Sequence, residues 1–346
     1  MNGKSTLAKS LATMGLAALA LTACGGESDA GGNGGAEAGE VVDVTLMLNW
    51  YPYGEHAPFY YGVEEGIFEE HGINLEIQAG QGSTRTVQAV GSGEVEFGWA
   101  DTAPLLSNVE SGVNVKSIGV YLQTTPSAVQ VFSDSGITEL EDLEGTTIAV
   151  SAGDAPTSTF PVFLEAAGID PDSIQQQNLD SAGKVAAMIA GQVDGLIGFA
   201  HDQGPKIADQ SGRDVSYFRY SDVGLNFFSN GLLTQQSTID DDPDLVQRMS
   251  DATSAAFQAA AEDPEGAAEA MQGKDPQIAS TEVVLEQWTE TINLLTTENS
   301  EGQVPGWNAD EDWQNTISVM SDAGLIEEEH PVDMFYDASF APGEDS

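Results

Sequence analysis

The sequence predicts an α/β protein of two lobes, each built on a parallel sheet and joined by a hinge of two chain segments. Three observations lead to this fold class. Apolar strands alternate with amphipathic helices from residue 42 onwards, and a second alternating series begins near Ser133. Long helices take over from Pro243. The simplest topology inserts residues 132–228, as a second lobe, into a first lobe made of residues 41–131 and 229–340.

The first series contains three predicted strands: residues 42–48, residues 74–78 and a segment that ends at Asp101. The helix predicted at residues 58–71 ends at Gly72 and carries on one face Phe59, Tyr60, Val63, Ile67 and Phe68. A glycine-rich turn leads into the second helix, and a third helix opens at Thr102 and Pro104. In such a βαβ arrangement, ligands are expected at the carboxyl ends of the strands.

The second series continues the alternation. Its predicted elements are a strand within GTTIAVSAG, a helix at 157–167 ended by Gly168, a strand at 173–179, a helix at 182–190 and a strand that reaches His201. The long helices that follow are predicted at 243–263, 276–297 and 310–324. The return from the second series to these helices forms the second hinge segment.

The N-terminal residues are typical of a bacterial lipoprotein signal. Lys4 and Lys9 precede an apolar run at residues 11–23, which is too short to span a bilayer and leads directly to Cys24. We expect residues 1–23 to be removed and Cys24, the only cysteine, to be acylated and inserted into membrane lipid. Residues 24–40 are rich in glycine and poor in apolar side chains, so they predict a flexible linker. The predicted location is the extracytoplasmic face of the cell membrane.

The charge of the chain excludes several classes of partner. The whole sequence has 10 Lys and Arg against 56 Asp and Glu; without Lys4 and Lys9 the balance becomes 8 − 56 = −48. Nucleic acids and anionic membrane surfaces are therefore not expected partners. The acidic residues are spread along the chain without the spacing of a calcium loop, and the four histidines form no metal-binding motif. We expect no metal, no cofactor and a monomer with an acidic, solvated surface suited to a saline habitat.

Several segments resemble one known family. The segments LMLNWYPYGEHAPFYYGVEEGIFEEHGINLEI, GSGEVEFGWAD, LEDLEGTTIAV and FFSNGLLTQQSTIDDDPDLVQRMSDAT are similar to ABC-transporter substrate-binding proteins that carry thiamine-precursor pyrimidines. Relatives in that family bind sulfonates, nitrate and riboflavin. The resemblance implies the type II periplasmic-binding-protein fold, a small-molecule ligand held between the lobes, and an ABC importer permease as partner.

The end of the first strand supplies the first candidate ligand-binding residues. In the family, the Asn-Trp pair at this point contacts the ligand, which implies that role for Asn49 and Trp50. Tyr53 and His56 follow within the same turn. Flat heteroaromatic rings stack well on aromatic side chains, and a nearby amide can hydrogen-bond to them. Core packing is the alternative role for these aromatics, above all for Tyr51 and Phe59.

Other strand ends and turns complete the predicted site. The first lobe contributes Arg85, Trp99 and Asp101, and the second contributes Ser151, Gly153, Phe199, His201 and Asp202. Backbone N–H groups at such turns suit polar ligand atoms, and Asp202 is able to accept a hydrogen bond from an exocyclic amine. A solvated loop is the alternative for His201 and Asp202. The returning hinge segment contributes Asn226 and Phe227.

The ligand and the class of protein leave alternatives open. Aromatic residues at the first strand's end favour a ring ligand, whereas Arg85 leaves a sulfonate or nitrate possible. Enzymatic activity is the alternative from another class, because the resembling family includes thiamine-pyrimidine synthases that use a cysteine-rich loop and an active-site histidine. Here the loop at residues 224–229 has no cysteine, and Pro104 occupies the histidine's position. We therefore predict a binding protein with no catalytic residues.

Overall fold

Two five-stranded sheets form the framework of the protein. The computed structural model describes residues 41–343. The strands are β1 (Val42–Met47), β2 (Ile73–Gln78), β3 (Phe97–Asp101), β4 (Val115–Val120), β5 (Ser127–Phe132), β6 (Thr147–Val150), β7 (Gln175–Asn178), β8 (Gly195–Phe199), β9 (Val215–Arg219) and β10 (Asn230–Gln235). The first sheet has the order β2-β1-β3-β10-β4, and the second has the order β7-β6-β8-β5-β9.

Helices cover the faces of both sheets. They are α1 (Ala57–Glu64), α2 (Ile67–Glu70), α3 (Ser83–Gly91), α4 (Thr102–Glu110), α5 (Ala155–Ala167), α6 (Ser181–Ile189), α7 (Ala200–Ser211), α8 (Gln236–Asp241), α9 (Pro243–Glu262), α10 (Pro264–Ala270), α11 (Thr281–Ile292) and α12 (Asp310–Asp322). We call the elements packed on the first sheet the first lobe and those packed on the second sheet the second lobe. No helix within residues 41–343 has both the length and the apolar character needed to cross a membrane.

Each sheet is mixed, whereas the sequence predicts parallel sheets. Strand β10 runs antiparallel to β3 and β4, and β5 runs antiparallel to β8 and β9. The register gives the reason, because Asn230 at the start of β10 lies opposite Asp101 at the end of β3. Likewise Ser127 lies opposite Phe199 at the end of β8. The chain thus enters each sheet from the carboxyl ends of its other strands, and the entering strand must run in the opposite direction.

The hinge lies on this same side of the sheets. The two crossing segments are held together where Thr125 N–H donates to Asn226 Oδ1 (3.3 Å) and Ser229 N–H donates to Leu122 O (2.8 Å). Strand β5 starts at Ser127 and belongs to the second sheet, so the first crossing comes before the predicted boundary at residues 131 and 132.

Two of the predicted helices differ from those observed. The helix predicted at 58–71 is divided into α1 and α2 because Gly66 adopts a left-handed φ of 76° between them. Val63, predicted on its apolar face, is 42% exposed. The helix predicted at 276–297 is shorter, since Ser280 caps the start of α11 by accepting from Val283 N–H. By contrast, Gly72 and Gly168 end their helices in left-handed conformation, as the sequence predicts.

Candidate functional site

A small cavity of about 20 Å³ lies between the lobes at the carboxyl ends of the strands. Its lining comes from both lobes: Asn49, Trp50, Tyr53, Gly82 and Ser83 from the first, and Asp154, Ala155, Pro156, Lys184, Gly198, Phe199, Asp202 and Gln203 from the second. Residues after β1, β6 and β8 therefore converge on one space, as expected for the carboxyl edge of such sheets. In this conformation the volume is enough for about one water molecule, so a larger ligand requires the lobes to move apart.

Aromatic side chains make up much of the cavity wall. Trp50 and Tyr53 from the first lobe pack with Ala155 and Phe199 from the second in one apolar cluster. The Trp50 side chain is buried, yet its indole Nε1 has no hydrogen-bond partner. An indole ring with an unpaired N–H offers a stacking face together with a donor for a ligand atom.

A buried lysine is the charged centre of the opposite wall. Lys184 on α6 is 1% exposed, and its Nζ lies 2.8 Å from Asp154 Oδ2 and 2.8 Å from Ile197 O. The same Nζ lies 5.5 Å from the centre of the Trp50 ring. Asp154 also caps α5 by accepting from Thr157 N–H (2.9 Å). The ion pair meets the usual requirement that a buried charge be paired.

Asp202 gives the cavity a second carboxylate. The Tyr51 hydroxyl donates to its Oδ1 (3.0 Å), and Gln287 Nε2 donates to its backbone carbonyl (2.8 Å) and to Oδ1 (3.3 Å). Burial raises the pKa of Asp202 to about 6, against the lowering effect of Lys206 and other neighbours. This carboxyl group is thus an acceptor whose charge changes near neutral pH.

A buried acid lies behind the aromatic wall. Burial alone would raise the pKa of Glu55, but hydrogen bonds and charges from His201, His56 and Tyr53 lower it to about 2. His56, the next residue, places its Nε2 2.8 Å from Asn49 Oδ1, and burial lowers the pKa of this imidazole to about 4.

Within residues 41–343, no group of three or more His, Cys, Asp or Glu is arranged to hold a metal ion.

The structure brings together five of the predicted site residues in the cavity wall: Asn49, Trp50, Tyr53, Phe199 and Asp202. Ser151 lines a wider, open cleft that also contacts Trp50. The carbonyl of Gly153 accepts from Thr84 N–H (3.4 Å), where the two lobes approach each other. The residues predicted at the ends of β1 and β8 therefore lie together in the wall of one cavity, and their contact with a ligand stays a prediction.

Four other predicted residues lie behind the cavity wall and do not line it. Trp99 is fully buried in the core of the first lobe, and its Nε1 donates to Glu55 (2.6 Å). Asp101 caps α4 by accepting from Ala103 N–H (2.9 Å). The remaining two are His56, which contacts Asn49, and His201, which contacts Glu55.

Three predicted residues lie elsewhere. The Arg85 guanidinium pairs with Glu94 (2.8 Å), and its side chain is 52% exposed, because α3 directs it away from the cavity. Asn226 and Phe227 line a separate cavity of about 30 Å³. Two hydrogen bonds hold the returning segment there. Thr125 N–H, on the other crossing segment, donates to the Asn226 side chain, and the side-chain amide of Asn315 donates to the Asn226 carbonyl (3.1 Å). Cys24 lies outside the described residues.

Sequence reasoning missed Lys184, Asp154, Gln203 and Glu55. For Lys184 a signal exists, because it is the only charged residue in the apolar helix segment SAGKVAAMI. Glu55, in a turn, and Gln203, in the first turn of α7, give no comparable signal, since polar residues at such positions are ordinarily solvated.

Comparisons with known proteins agree with this architecture. The NMT1/THI5-like family matches residues 54–267, more than half of the chain. The formylaminopyrimidine-binding protein of Halalkalibacterium halodurans is 22% identical over 84% of this chain and 88% of its own. A 4-amino-5-hydroxymethyl-2-methylpyrimidine phosphate synthase of Legionella pneumophila is 26% identical over 86% of this chain and 92% of its own.

A solved structure agrees on the fold. The alkanesulfonate-binding protein SsuA of Xanthomonas axonopodis, bound to MOPS, superposes with a TM-score of 0.67 at 16% identity. The superposition covers 87% of this chain and 99% of that one. This protein therefore has the periplasmic-binding-protein fold and belongs to the NMT1/THI5-like family.

Proposed function

We propose that this protein is the substrate-binding component of an ABC importer and that it captures a thiamine-precursor pyrimidine or a similar small heteroaromatic molecule. The observation that carries the proposal is the cavity between the lobes, which has Trp50, Tyr53 and Phe199 in its wall. A few polar residues, among them Asn49, Asp202 and Gln203, line the same space, which is the usual composition of a small-molecule site.

Each side chain in the cavity wall makes a different kind of contact with the ligand. The ring of Trp50 stacks on the ligand, and its unpaired Nε1 donates to a ring nitrogen or oxygen. Asp202 accepts from an exocyclic amine, and Gln203 supplies either a donor or an acceptor. Because the wall comes from both lobes, the hinge must open to admit the ligand and close to enclose it.

The named relatives support transport but also raise the enzymatic alternative. The relative from Halalkalibacterium halodurans is named as a formylaminopyrimidine-binding protein, whereas that from Legionella pneumophila is named as a synthase. Residues 224–229 here contain no cysteine, and Pro104 packs as a buried residue in the first turn of α4. We therefore propose binding without catalysis.

A small anion is the second candidate ligand, and Lys184 is the observation that favours it. A buried ammonium group in a cavity wall is the kind of fixed positive charge that a sulfonate or nitrate needs. Against this, Asp154 and the Ile197 carbonyl already occupy the Lys184 Nζ. The heteroaromatic ligand remains our first proposal, and riboflavin, as a larger ring system, belongs to the same experiment.

Location and partners complete the proposal. Cys24 anchors a monomer by its acyl chains to the outer face of the cell membrane, and residues 24–40 act as a tether. The tether allows the ligand-loaded lobes to reach an importer permease. The sequence predicts a second lobe at residues 132–228, and we propose that this lobe starts instead at β5. It closes over the first lobe.

The test is calorimetric titration of the purified protein with aminopyrimidines, riboflavin, taurine and nitrate. We expect an aminopyrimidine to bind, and Trp50→Ala to weaken that binding by roughly 5- to 150-fold, because stacking contributes about 1–3 kcal/mol per ring. The ligand-free melting temperature should change little. Trp288→Ala is the matched control, because Trp288 is fully buried in α11 and its loss should cost about 3–5 kcal/mol of stability.

Other outcomes would redirect the proposal. Binding of taurine or nitrate alone would contradict the heteroaromatic ligand and make Lys184 the centre of the site. Steady-state turnover of an aminopyrimidine precursor by the purified protein would contradict the non-enzymatic assignment.

A further inference from the structure

Glu55 is a fully buried carboxylate that receives four hydrogen bonds. Three donors belong to the first lobe: the Tyr53 hydroxyl (2.6 Å), Trp99 Nε1 (2.6 Å) and Asn230 Nδ2 (2.5 Å). The fourth donor, His201 Nε2 (2.8 Å), belongs to the second lobe. The carboxylate is thus the point at which a hydrogen-bond network of one lobe accepts a single side chain of the other.

The first-lobe donors fix the carboxylate independently of the second lobe. Trp99 lies on β3 and Asn230 on β10, two neighbouring strands in the centre of the first sheet. Trp99 is further held by edge contact with Phe59, with ring centres 5.1 Å apart. Glu55 is therefore a preformed acceptor, and the residue that must travel when the lobes separate is His201.

His201 carries two cavity residues with it. Its ring stacks on Phe199 with an angle of 18° and centres 5.7 Å apart, and Asp202 follows it in the chain. Phe199 and Asp202 line the cavity, whereas neither Glu55 nor His201 does. The contact between Glu55 and His201 can thus be removed without removing a residue from the cavity wall.

We propose that Glu55 is the positioning residue of lobe closure: it docks His201, and this docking places Phe199 and Asp202 against the ligand. The inference rests on the proposed function and deepens it. It assigns to His201 a role in closure, where the sequence suggests direct ligand contact. Tyr51 and Gln287 also cross between the lobes, but both bind Asp202, which is itself in the cavity wall.

The kinetic consequence follows from when the contact forms. Because His201 reaches Glu55 only in the closed state, its loss should accelerate ligand release and leave the association rate unchanged. Because a hydrogen bond to a charged group is stronger than one between neutral groups, we expect His201→Ala to release the ligand roughly 10- to 150-fold faster than wild type. A loss of fold would instead lower the melting temperature and the fraction of protein that binds.

The experiment is stopped-flow tryptophan fluorescence on the full chain, with 4-amino-5-hydroxymethyl-2-methylpyrimidine as probe. His201→Gln keeps an N–H donor of similar reach and should restore slow release in part. The matched control is His330→Ala, because His330 Nε2 lies 2.9 Å from Glu110 Oε1 in a histidine–carboxylate pair that is not part of the cavity wall. This control should release the probe at the wild-type rate.

Fluorescence energy transfer between one label on each lobe supplies a second measurement that needs no ligand. We expect His201→Ala to reduce the closed fraction relative to wild type and to His330→Ala. Equal release rates for wild type and His201→Ala overturn the proposal. If wild type does not bind the probe, the proposed ligand class is wrong. The closure role is then tested by the label experiment alone, and equal closed fractions in wild type and His201→Ala overturn it.

Discussion

At the scale of single residues, two buried carboxyl groups near the cavity have pKa values shifted in opposite directions. Burial would raise the pKa of Glu55, but hydrogen bonds from His201 and Tyr53 and the charges of His201 and His56 hold it at about 2. Asp101 is also buried, but burial raises its pKa to about 7, because the Ser229 hydroxyl (2.6 Å) and one backbone N–H only partly offset the lost solvation. The number and charge of hydrogen-bond donors thus decide whether a buried acid is stabilised in its ionised form.

Asp101 gives a prediction with a defined sign. Its pKa is higher in the folded protein than the usual 3.8, so the folded state binds more protons and stability falls as pH rises from about 4 to about 7. Asp101→Asn removes the charge and keeps the acceptor for Ala103 N–H, while the new amide group donates to the Ser229 hydroxyl oxygen instead of accepting from it. We expect the variant to match wild type near pH 4 and to become more stable than wild type by about 1.4 kcal/mol per unit of pKa difference towards pH 7.

Urea unfolding at a series of pH values measures this difference. Asp134→Asn is the control of opposite sign, because a hydrogen bond from Arg213 lowers the pKa of that exposed carboxyl. The Asp134 variant should lose a little stability above pH 4. A constant difference between Asp101→Asn and wild type across the range would show that Asp101 is not destabilised in its ionised form.

At the scale of elements, the turn before α3 determines how closely the lobes approach. Gly82 adopts a φ of 115°, and its N–H donates to Asn49 O (2.7 Å). A Cβ at this position would lie 2.8 Å from the carbonyl oxygen of Gly153 in the second lobe. Glycine is needed both for the backbone conformation and for the contact between the lobes.

Gly82→Ala should therefore weaken ligand binding by opposing closure. Overpacking at a close contact costs about 1–3 kcal/mol, which corresponds to roughly 5- to 150-fold in affinity. Gly93→Ala is the matched control, because Gly93 follows α3 with a φ of 71° and its added Cβ would meet no atom within 4 Å. Both variants should lose stability through backbone strain. Calorimetry that finds equal affinity in the two variants would contradict a role for Gly82 in closure.

At the scale of the whole molecule, an acidic domain is joined to a predicted lipid anchor. The balance of −48 leaves little attraction to an anionic membrane surface, so membrane association depends on the acyl chains of Cys24. We expect Cys24→Ser to move the protein from the membrane fraction to the medium or periplasm. Fractionation with a salt wash and immunoblotting measures this, with wild type released only by detergent. A Cys24→Ser protein that stays with the membranes would contradict the lipoprotein assignment.

The sequence by itself determines most of the fold and predicts where the candidate site lies. Alternating apolar strands and amphipathic helices identify two α/β series, because each element's periodicity is local and follows from its own burial. Asn49 and Trp50, which follow β1, and Phe199, the last residue of β8, line the same cavity, since the carboxyl ends of parallel strands share one edge.

Only the tertiary structure decides strand direction and the long-range partners of polar residues. Strands β5 and β10 are fully or nearly fully buried, so their sequences contain no pattern that indicates whether they pair parallel or antiparallel. Lys184 and Arg85 are both single basic residues on short helices, yet Lys184 meets Asp154 inside the cavity and Arg85 meets Glu94 at the surface. Glu55 becomes a docking point because β3, β10 and α7 bring their donors together from distant parts of the chain, a convergence that no local pattern records.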